Sequence, residues 1–203
     1  MNKPYVVGIT GGIGCGKTVA TDFLEEQGAL VLDADVESRA LTAENGEALL
    51  PILETFGEGV FFEDGRLNRR ALAELIFSDE AQRRALEGIL HPMIQHRIMQ
   101  RIRQAGQDGV PFLFLSVPLL FETGMDALCD ETWCLTLDPD EQLQRVMERD
   151  GLTRSEAEAR IASQMPLEEK ERRANVVIRT NRSMDATRAE LNSLLRDLIR
   201  RLT

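Results

Sequence analysis

Gly8-Ile9-Thr10-Gly11-Gly12-Ile13-Gly14-Cys15-Gly16-Lys17-Thr18 is the stretch on which the reading of this 203-residue chain turns. Before it, residues 5–10 form a short run rich in β-branched side chains. After it, residues 17–24 carry apolar positions at helical spacing, so the local order is strand, glycine loop, helix. Gly11-x-x-x-x-Gly16-Lys17-Thr18 satisfies the P-loop pattern in the strand-to-helix context that the pattern requires. Glycines let successive backbone N–H groups turn inward around phosphate oxygens, and the helix N-terminus adds its positive end. Gly12, Ile13, Gly14, Cys15, Gly16, Lys17 and Thr18 are therefore the expected ATP-binding residues. Lys17 reaches the outer phosphates and the Thr18 hydroxyl is the candidate ligand for Mg²⁺. The competing reading, a glycine turn with an accidental Lys-Thr, lacks any reason for the flanking strand and helix.

Working outward, residues 29–32, 112–117, 131–137 and 176–179 read as four further strands, each separated from the last by helical pattern. Such alternation predicts an α/β fold, a five-stranded parallel sheet flanked by helices, with ligands at the carboxyl ends of the strands. The gap of about eighty residues between the second and third strands is too long for a plain crossover. It is mostly helical, over 67–77 and 80–103, and residues 36–105 are read as a helical insertion, with Pro92 expected to bend or divide its long helix. A second insertion follows a helix over 140–149. Thr153-Arg154-Ser155-Glu156 has capping-box spacing and opens a helix to Gln164, while Pro166 starts another. Residues 145–174 are thus the expected helical lid, and residues 184–202 close the chain as an amphipathic helix. With no repeat or linker, residues 1–203 are expected to form a single P-loop kinase body.

Composition removes several classes. The hydrophobic share is 43% and the charged share 29%, with 7 Pro and 15 Gly, ordinary usage for a folded domain. The longest apolar stretch, residues 110–121, is interrupted by Pro111, Ser116 and Pro118 and is too short to cross a bilayer. Lys3 ahead of Tyr5-Val6-Val7 does not make a secretory leader, so a cytoplasmic protein without a membrane partner is expected. Cys15, Cys129 and Cys134 form no CxxC pair, and neither a disulfide framework nor a zinc site is supported. The net charge of −10 argues against a nucleic-acid partner. Between Arg66 and Arg103, however, eight Arg stand against four acids. Either a solvated helical face or an anionic-ligand site accounts for that island.

Among P-loop proteins, a GTP switch would carry an Asn-Lys-x-Asp guanine reader late in the chain, and only Asn2-Lys3-Pro4-Tyr5 resembles one. A motor ATPase would end its third strand in an Mg²⁺-associated Asp, whereas this one ends Leu113-Phe114-Leu115-Ser116-Val117. Asp33 and Asp35 end the second strand, where a carboxylate can take a proton from an attacking hydroxyl or help place Mg²⁺. Capping the helix that starts near Val36 is the alternative for both, and the favoured reading for Asp35 rather than Asp33. Arg145, Arg149 and Arg160 belong to the lid region. Guanidinium groups there can neutralise the transferred phosphoryl group while the lid excludes water. Surface ion pairing is the alternative for each, and Arg149, at the helix end before Asp150-Gly151, has the best placed charge.

Taken together, Gly8 to Thr18, Asp33-Ala34-Asp35, His91-Pro92, Pro118-Leu119-Leu120-Phe121-Glu122 and Arg145 through Arg149-Asp150 occur in the order seen in dephospho-CoA kinases. The chain resembles that family over nearly its whole length. The resemblance implies transfer of the γ-phosphate of ATP, as Mg-ATP, to the ribose 3′-hydroxyl of dephospho-CoA, giving coenzyme A. It implies Asp33 as base, with Lys17 and Arg149 completing the catalytic set. Asp33, His91, Pro92, Leu119, Leu120, Phe121 and Glu122 are implied at the acceptor, and the helical insertion is the implied CoA domain. ATP and dephospho-CoA are the expected partners of a monomer or weak homo-oligomer. Cys15 and Thr18 stand where the family more often has Ser, and Asn175 and Thr180 depart from its usual Ala-Asp-x-Val-Ile-x-Asn. Cys15 has two readings, a thiolate activated by the helix N-terminus and Lys17, or a shielded small residue. Two other classes stay open on the residues alone: a nucleoside or nucleoside-monophosphate kinase, and a non-catalytic switch or assembly ATPase in which Asp33 is only a cap.

Overall fold

β1 (Tyr5–Gly11) is buried from its second residue to its last, as a parallel strand must be when helices cover both faces. In the computed structural model, which describes residues 3–203, it is the middle of a five-stranded sheet of order β2-β3-β1-β4-β5. The others are β2 (Leu30–Asp33), β3 (Phe112–Ser116), β4 (Glu131–Thr136) and β5 (Val176–Arg179). β1 pairs in parallel with β3, Val7 beside Phe114, and with β4, Ile9 beside Trp133. β4 pairs in parallel with β5 through Leu135 and Ile178. The chain leaves β1 for one side of the sheet and returns to the other. That reversal opens the crevice at the carboxyl end of β1 where the glycine loop begins.

The chain divides into two compact units, Met1–Leu32 with Gln104–Thr203, and Asp33–Arg103. In the first unit the core gathers Val7, Ile9, Leu24, Phe114, Trp133 and Leu135. The rings of Phe114 and Trp133 meet at 5.3 Å between centroids. The last helix, α9 (Met184–Leu202), lays Leu191, Leu195 and Leu198 onto this core, a stripe at helical spacing. Its Arg201 donates to the Glu131 carboxylate at 2.8 Å, and the same carboxylate accepts from Trp133 Nε1 at 2.8 Å and Tyr5 Oη at 3.3 Å. Burial alone would raise the Glu131 carboxyl, but these three donors outweigh it and hold it below its ordinary value.

The second unit contains α2 (Ala34–Leu41), α3 (Leu49–Phe56), α4 (Arg69–Ser78) and most of α5 (Glu80–Gln107). The long helix is one uninterrupted element with Pro92 inside it, so the expected division is corrected. Pro92 lacks an N–H to offer the Gly88 carbonyl. Both residues lie on the exposed face, while Leu86, Ile94, Ile98 and Ile102 on the other face are buried on either side of the break in bonding. The arginine island is largely consumed by ion pairs. Arg97 and Arg101 reach Glu37, at 2.9 and 4.0 Å, and Arg70 and Arg84 pair along the helix surfaces with Glu74 and Glu80. α3 had no counterpart in the sequence reading, because its apolar run Leu49-Leu50-Pro51-Ile52-Leu53 is too short and its Pro too early to show helical period. No helix among the described residues is long and apolar enough to cross a membrane.

Candidate active site

The glycine loop joins β1 to α1 (Lys17–Glu26). Gly16 is the cap of α1, in the left-handed conformation with φ 80°, where a side chain is strained and glycine is not. Gly16 has no side chain to cap α1, and a helix N-terminus favours an anion through its backbone N–H groups and the helix dipole. Gly12 is closely approached from outside the loop. A Cβ there would come within 2.5 Å of Gln142 Nε2.

That close approach belongs to a shell the sequence did not announce. Gln142, on α6 (Pro139–Asp150), donates from Nε2 to Ile13 O at 2.9 Å. Ile13 N donates to Gln164 Oε1 at 3.1 Å, just after α7 (Arg154–Ala162). The Thr180 hydroxyl lies 3.2 Å from both the Cys15 and the Thr136 carbonyl oxygens, which share its one proton, and Arg145 Nη2 donates to Thr180 O at 2.9 Å. The loop is thereby held from outside by α6, the α7 end and the segment after β5. Thr180 had drawn notice beforehand as a departure from a family pattern, and Arg145 as a candidate phosphate-neutralising arginine. The Thr180 hydroxyl keeps a bond to the loop. Asn175, the other departure, accepts on Oδ1 from both Thr132 N and Thr132 Oγ1, acceptor work that an Asp would do equally.

Cys15 is 1% exposed and belongs to the core cluster. Burial pushes its thiol up to about 12, against weaker lowering by the Gly12 backbone contact and by Arg145, Lys170 and Lys17. The structure therefore selects the shielded small residue over the reactive thiolate. Cys129 and Cys134 are likewise pushed up to about 12, mainly by burial.

Asp33 ends β2 and caps α2, its Oδ1 accepting from Asp35 N at 2.7 Å and Val36 N at 3.2 Å. α2 begins at Ala34, earlier than expected, and Asp35 is an exposed residue of its first turn rather than a cap. Lys17 opens α1, and Thr18 is exposed one residue later. Arg149 of α6 grips the neighbouring Asp150 through Nε and Nη2, at 2.8 and 2.9 Å, and Arg160 Nη1 of α7 reaches the same carboxylate at 3.0 Å. The Arg149 hydrogen bond holds the Asp150 carboxyl below its ordinary value. Thr153 and Glu156 form the expected capping box at the head of α7. Arg145 faces Glu141 and Thr180 instead of its neighbour Arg149's partner.

The segment after β3 divides by depth. Leu120 is fully buried and Phe121 6% exposed, its ring under the Arg173 guanidinium at 4.5 Å. Of the four residues expected at the acceptor, Leu120 and Phe121 are thus packed inside the unit. Leu119 and Glu122 keep surface. Glu122 is also engaged by Lys170 of α8 (Leu167–Arg173), fully buried, at 2.8 Å. Nothing in Glu168-Glu169-Lys170-Glu171 marks that lysine as buried. In the second unit, His91 is half-buried and Pro92 exposed on α5.

A parallel sheet with the glycine loop after its central strand, a lysine opening the next helix and arginine-bearing helices α6 and α7 define a P-loop kinase. A family model described as Dephospho-CoA kinase matches residues 5–186, and the chain belongs to that family. It is 41% identical over 191 residues to a dephospho-CoA kinase of Symbiobacterium thermophilum, covering 94% of this chain and 80% of the relative. Among solved structures it is similar to TT1252 from Thermus thermophilus, with TM-score 0.81 and 36% identity over 97% of this chain and 99% of that one. It is also similar to dephospho-CoA kinase from Campylobacter jejuni, with TM-score 0.73 and 26% identity over 95% and 96% of the two chains.

Proposed function

We propose that this chain transfers the γ-phosphate of ATP to the ribose 3′-hydroxyl of dephospho-CoA, yielding coenzyme A. The observation that carries the reading is the family match across residues 5–186, which spans the P-loop, the helical unit and the lid alike. The bond broken is between the γ-phosphorus and the bridging oxygen to the β-phosphate. The bond formed joins that phosphorus to the 3′-oxygen, whose proton goes to the base.

Residues Gly12 to Thr18 would hold the phosphates, with Lys17 on the outer ones. Asp33 would orient and deprotonate the hydroxyl, its carboxylate aimed by the cap bonds on Oδ1. Arg149 would neutralise charge on the phosphoryl group in flight. A divalent ion fits this donor set, because Mg²⁺ takes one or two protein oxygens and the rest from phosphate and water, and the exposed Thr18 hydroxyl is one such oxygen. Bound there, such an ion would offset the negative charge of the phosphates. Leu119, Glu122, His91 and Pro92 are the acceptor-side residues of the reading, with Leu120 and Phe121 supporting from beneath. We take the enzyme to act in the cytoplasm as a monomer or weak homo-oligomer, its charge of −10 unsuited to nucleic acid.

The test is to incubate the pure protein with Mg-ATP and a panel of acceptors and to identify products by mass and position. Dephospho-CoA is expected to gain one phosphate at the ribose 3′ position. Equal or faster turnover with AMP, adenosine or cytidine monophosphate would overturn the assignment.

A further inference from the structure

Lys170 is fully buried, yet it is charged and sits in a run of glutamates. Its Nζ donates to Pro118 O at 2.7 Å and to Glu122 Oε1 at 2.8 Å. The same Oε1 accepts from Met165 N at 3.0 Å. Pro118 O also accepts from Thr10 Oγ1 at 3.1 Å, at the end of the strand that feeds the glycine loop. One residue before Met165, Gln164 holds Ile13 N of that loop at 3.1 Å. Two adjacent residues between α7 and α8 are thus pinned in opposite senses, Gln164 to the phosphate loop and Met165 to the segment after β3. Lys170 ties the second pin down.

Stability is a poor account of this arrangement. Removing the Lys170 ammonium from water costs several kcal/mol, its partner Glu122 keeps surface, and well-packed apolar residues of similar volume often do as well or better. What an ion pair gives that an apolar pair does not is direction, since the carboxylate must lie where both Nζ and the Met165 amide can reach it. We propose that Lys170 is a positioning residue that fixes Glu122, and through Glu122 the Gln164–Met165 hinge of the lid, against the phosphate loop and the segment after β3. This rests on the reading of the chain as a dephospho-CoA kinase. Lys170 touches no substrate in it. Without the ammonium, the Glu122 carboxylate and the Pro118 carbonyl face each other as two acceptors, and the hinge amide loses its fixed partner. The lid arginines Arg149 and Arg160, at the two ends of the segment that the hinge terminates, then arrive out of place.

The test compares Lys170→Met, Lys170→Arg and the double variant Lys170→Met/Glu122→Leu with the wild type. The double variant removes both charges and leaves none stranded, so it guards against simple misfolding of the single one. Misplacement of this kind is expected to lower kcat by up to about 10²-fold in both Met variants, with the dissociation constant for ATP, measured without acceptor, within about threefold of wild type. Lys170→Arg is expected to recover part of kcat. In nucleotide-free protein, hydrogen exchange at the Met165 amide should quicken in the Met variants while the amides of β1 and β4 keep their protection. A merely structural role would instead lower ATP-binding capacity and activity together and loosen the sheet. Near-native kcat, or unchanged Met165 exchange, in the folded double variant overturns the proposal. A wild-type protein that fails to phosphorylate dephospho-CoA overturns the function instead, and the exchange comparison is independent of that result.

Discussion

Asp33 joins two duties in one carboxylate. As the cap of α2 it accepts two backbone N–H groups on Oδ1, and as the proposed base it must also carry negative charge. The two can be separated because Asn caps a helix about as well as Asp. Asp33→Asn is therefore expected to keep the fold and ATP affinity while losing roughly 10²- to 10⁴-fold in turnover, the usual worth of a positioned general base. Steady-state kinetics beside an ATP titration checks this. Near-native turnover would leave Asp33 as a cap alone and require another route for the proton. Cys15 shows the opposite outcome at the same scale. Its place in the sequence, at a helix N-terminus beside Lys17, invited an activated thiolate, but desolvation inside the core wins over every nearby positive charge and pushes the thiol up to about 12.

At the scale of elements, α6 and the last helix carry the informative contacts. The Arg149 side chain is 55% exposed and paired with its sequence neighbour Asp150, a pairing of small worth to stability. Arg149→Ala is thus expected to leave the melting temperature within a degree or two and to lower kcat far more than it weakens acceptor binding. An Arg149→Ala enzyme with unchanged kcat would reduce the arginine to surface ion pairing. The carboxylate of Glu131 is the knot between β1, β4 and α9. Glu131→Gln keeps an acceptor for Trp133 Nε1 but loses the charged bonds, at a cost of about 1–3 kcal/mol near neutral pH, measurable by urea unfolding. The folded carboxyl lies below its ordinary 4.5, so its stabilisation is complete above that value. It is lost as pH falls through the lower folded value. The gap between wild type and Glu131→Gln should therefore close as the pH is taken below about 4.5; a gap that persists or widens on acidification would contradict the assigned role.

For the whole molecule, the phosphate loop is held from outside by α6, the α7 end and the segment after β5, so a nucleotide that binds it engages a site coupled to the fold of its unit. Mg-ATP at a hundredfold excess over its dissociation constant should stabilise the protein by about 2.7 kcal/mol, seen as a higher melting temperature. EDTA should abolish turnover and remove most of that shift, because the phosphates then face Lys17 and the α1 terminus without the ion that offsets their charge. Full activity in excess EDTA would exclude the Thr18-anchored ion.

The sequence by itself determined what depends on local pattern. Strand, glycine loop and helix at residues 5–24 follow from β-branched runs, glycines and helical spacing. So do the parallel sheet, from alternation along the chain, and the capping box at Thr153 and Glu156. The acceptor-side segment 118–122 was legible as a motif, but its division by depth was not. Burial of Leu120 and Phe121 is set by what packs above them, and motif spacing is blind to that. The tertiary structure alone decided the shell of Gln142, Gln164, Thr180 and Lys170, which reaches the loop and its neighbours across separations of up to 165 residues. It also decided that Pro92 leaves α5 whole, since packing on both sides of the missing bond outweighs the local preference for a break. Single polar side chains bonded across such distances have no period and no neighbour in sequence to announce them. Their partners exist only once the sheet has brought the strand ends together.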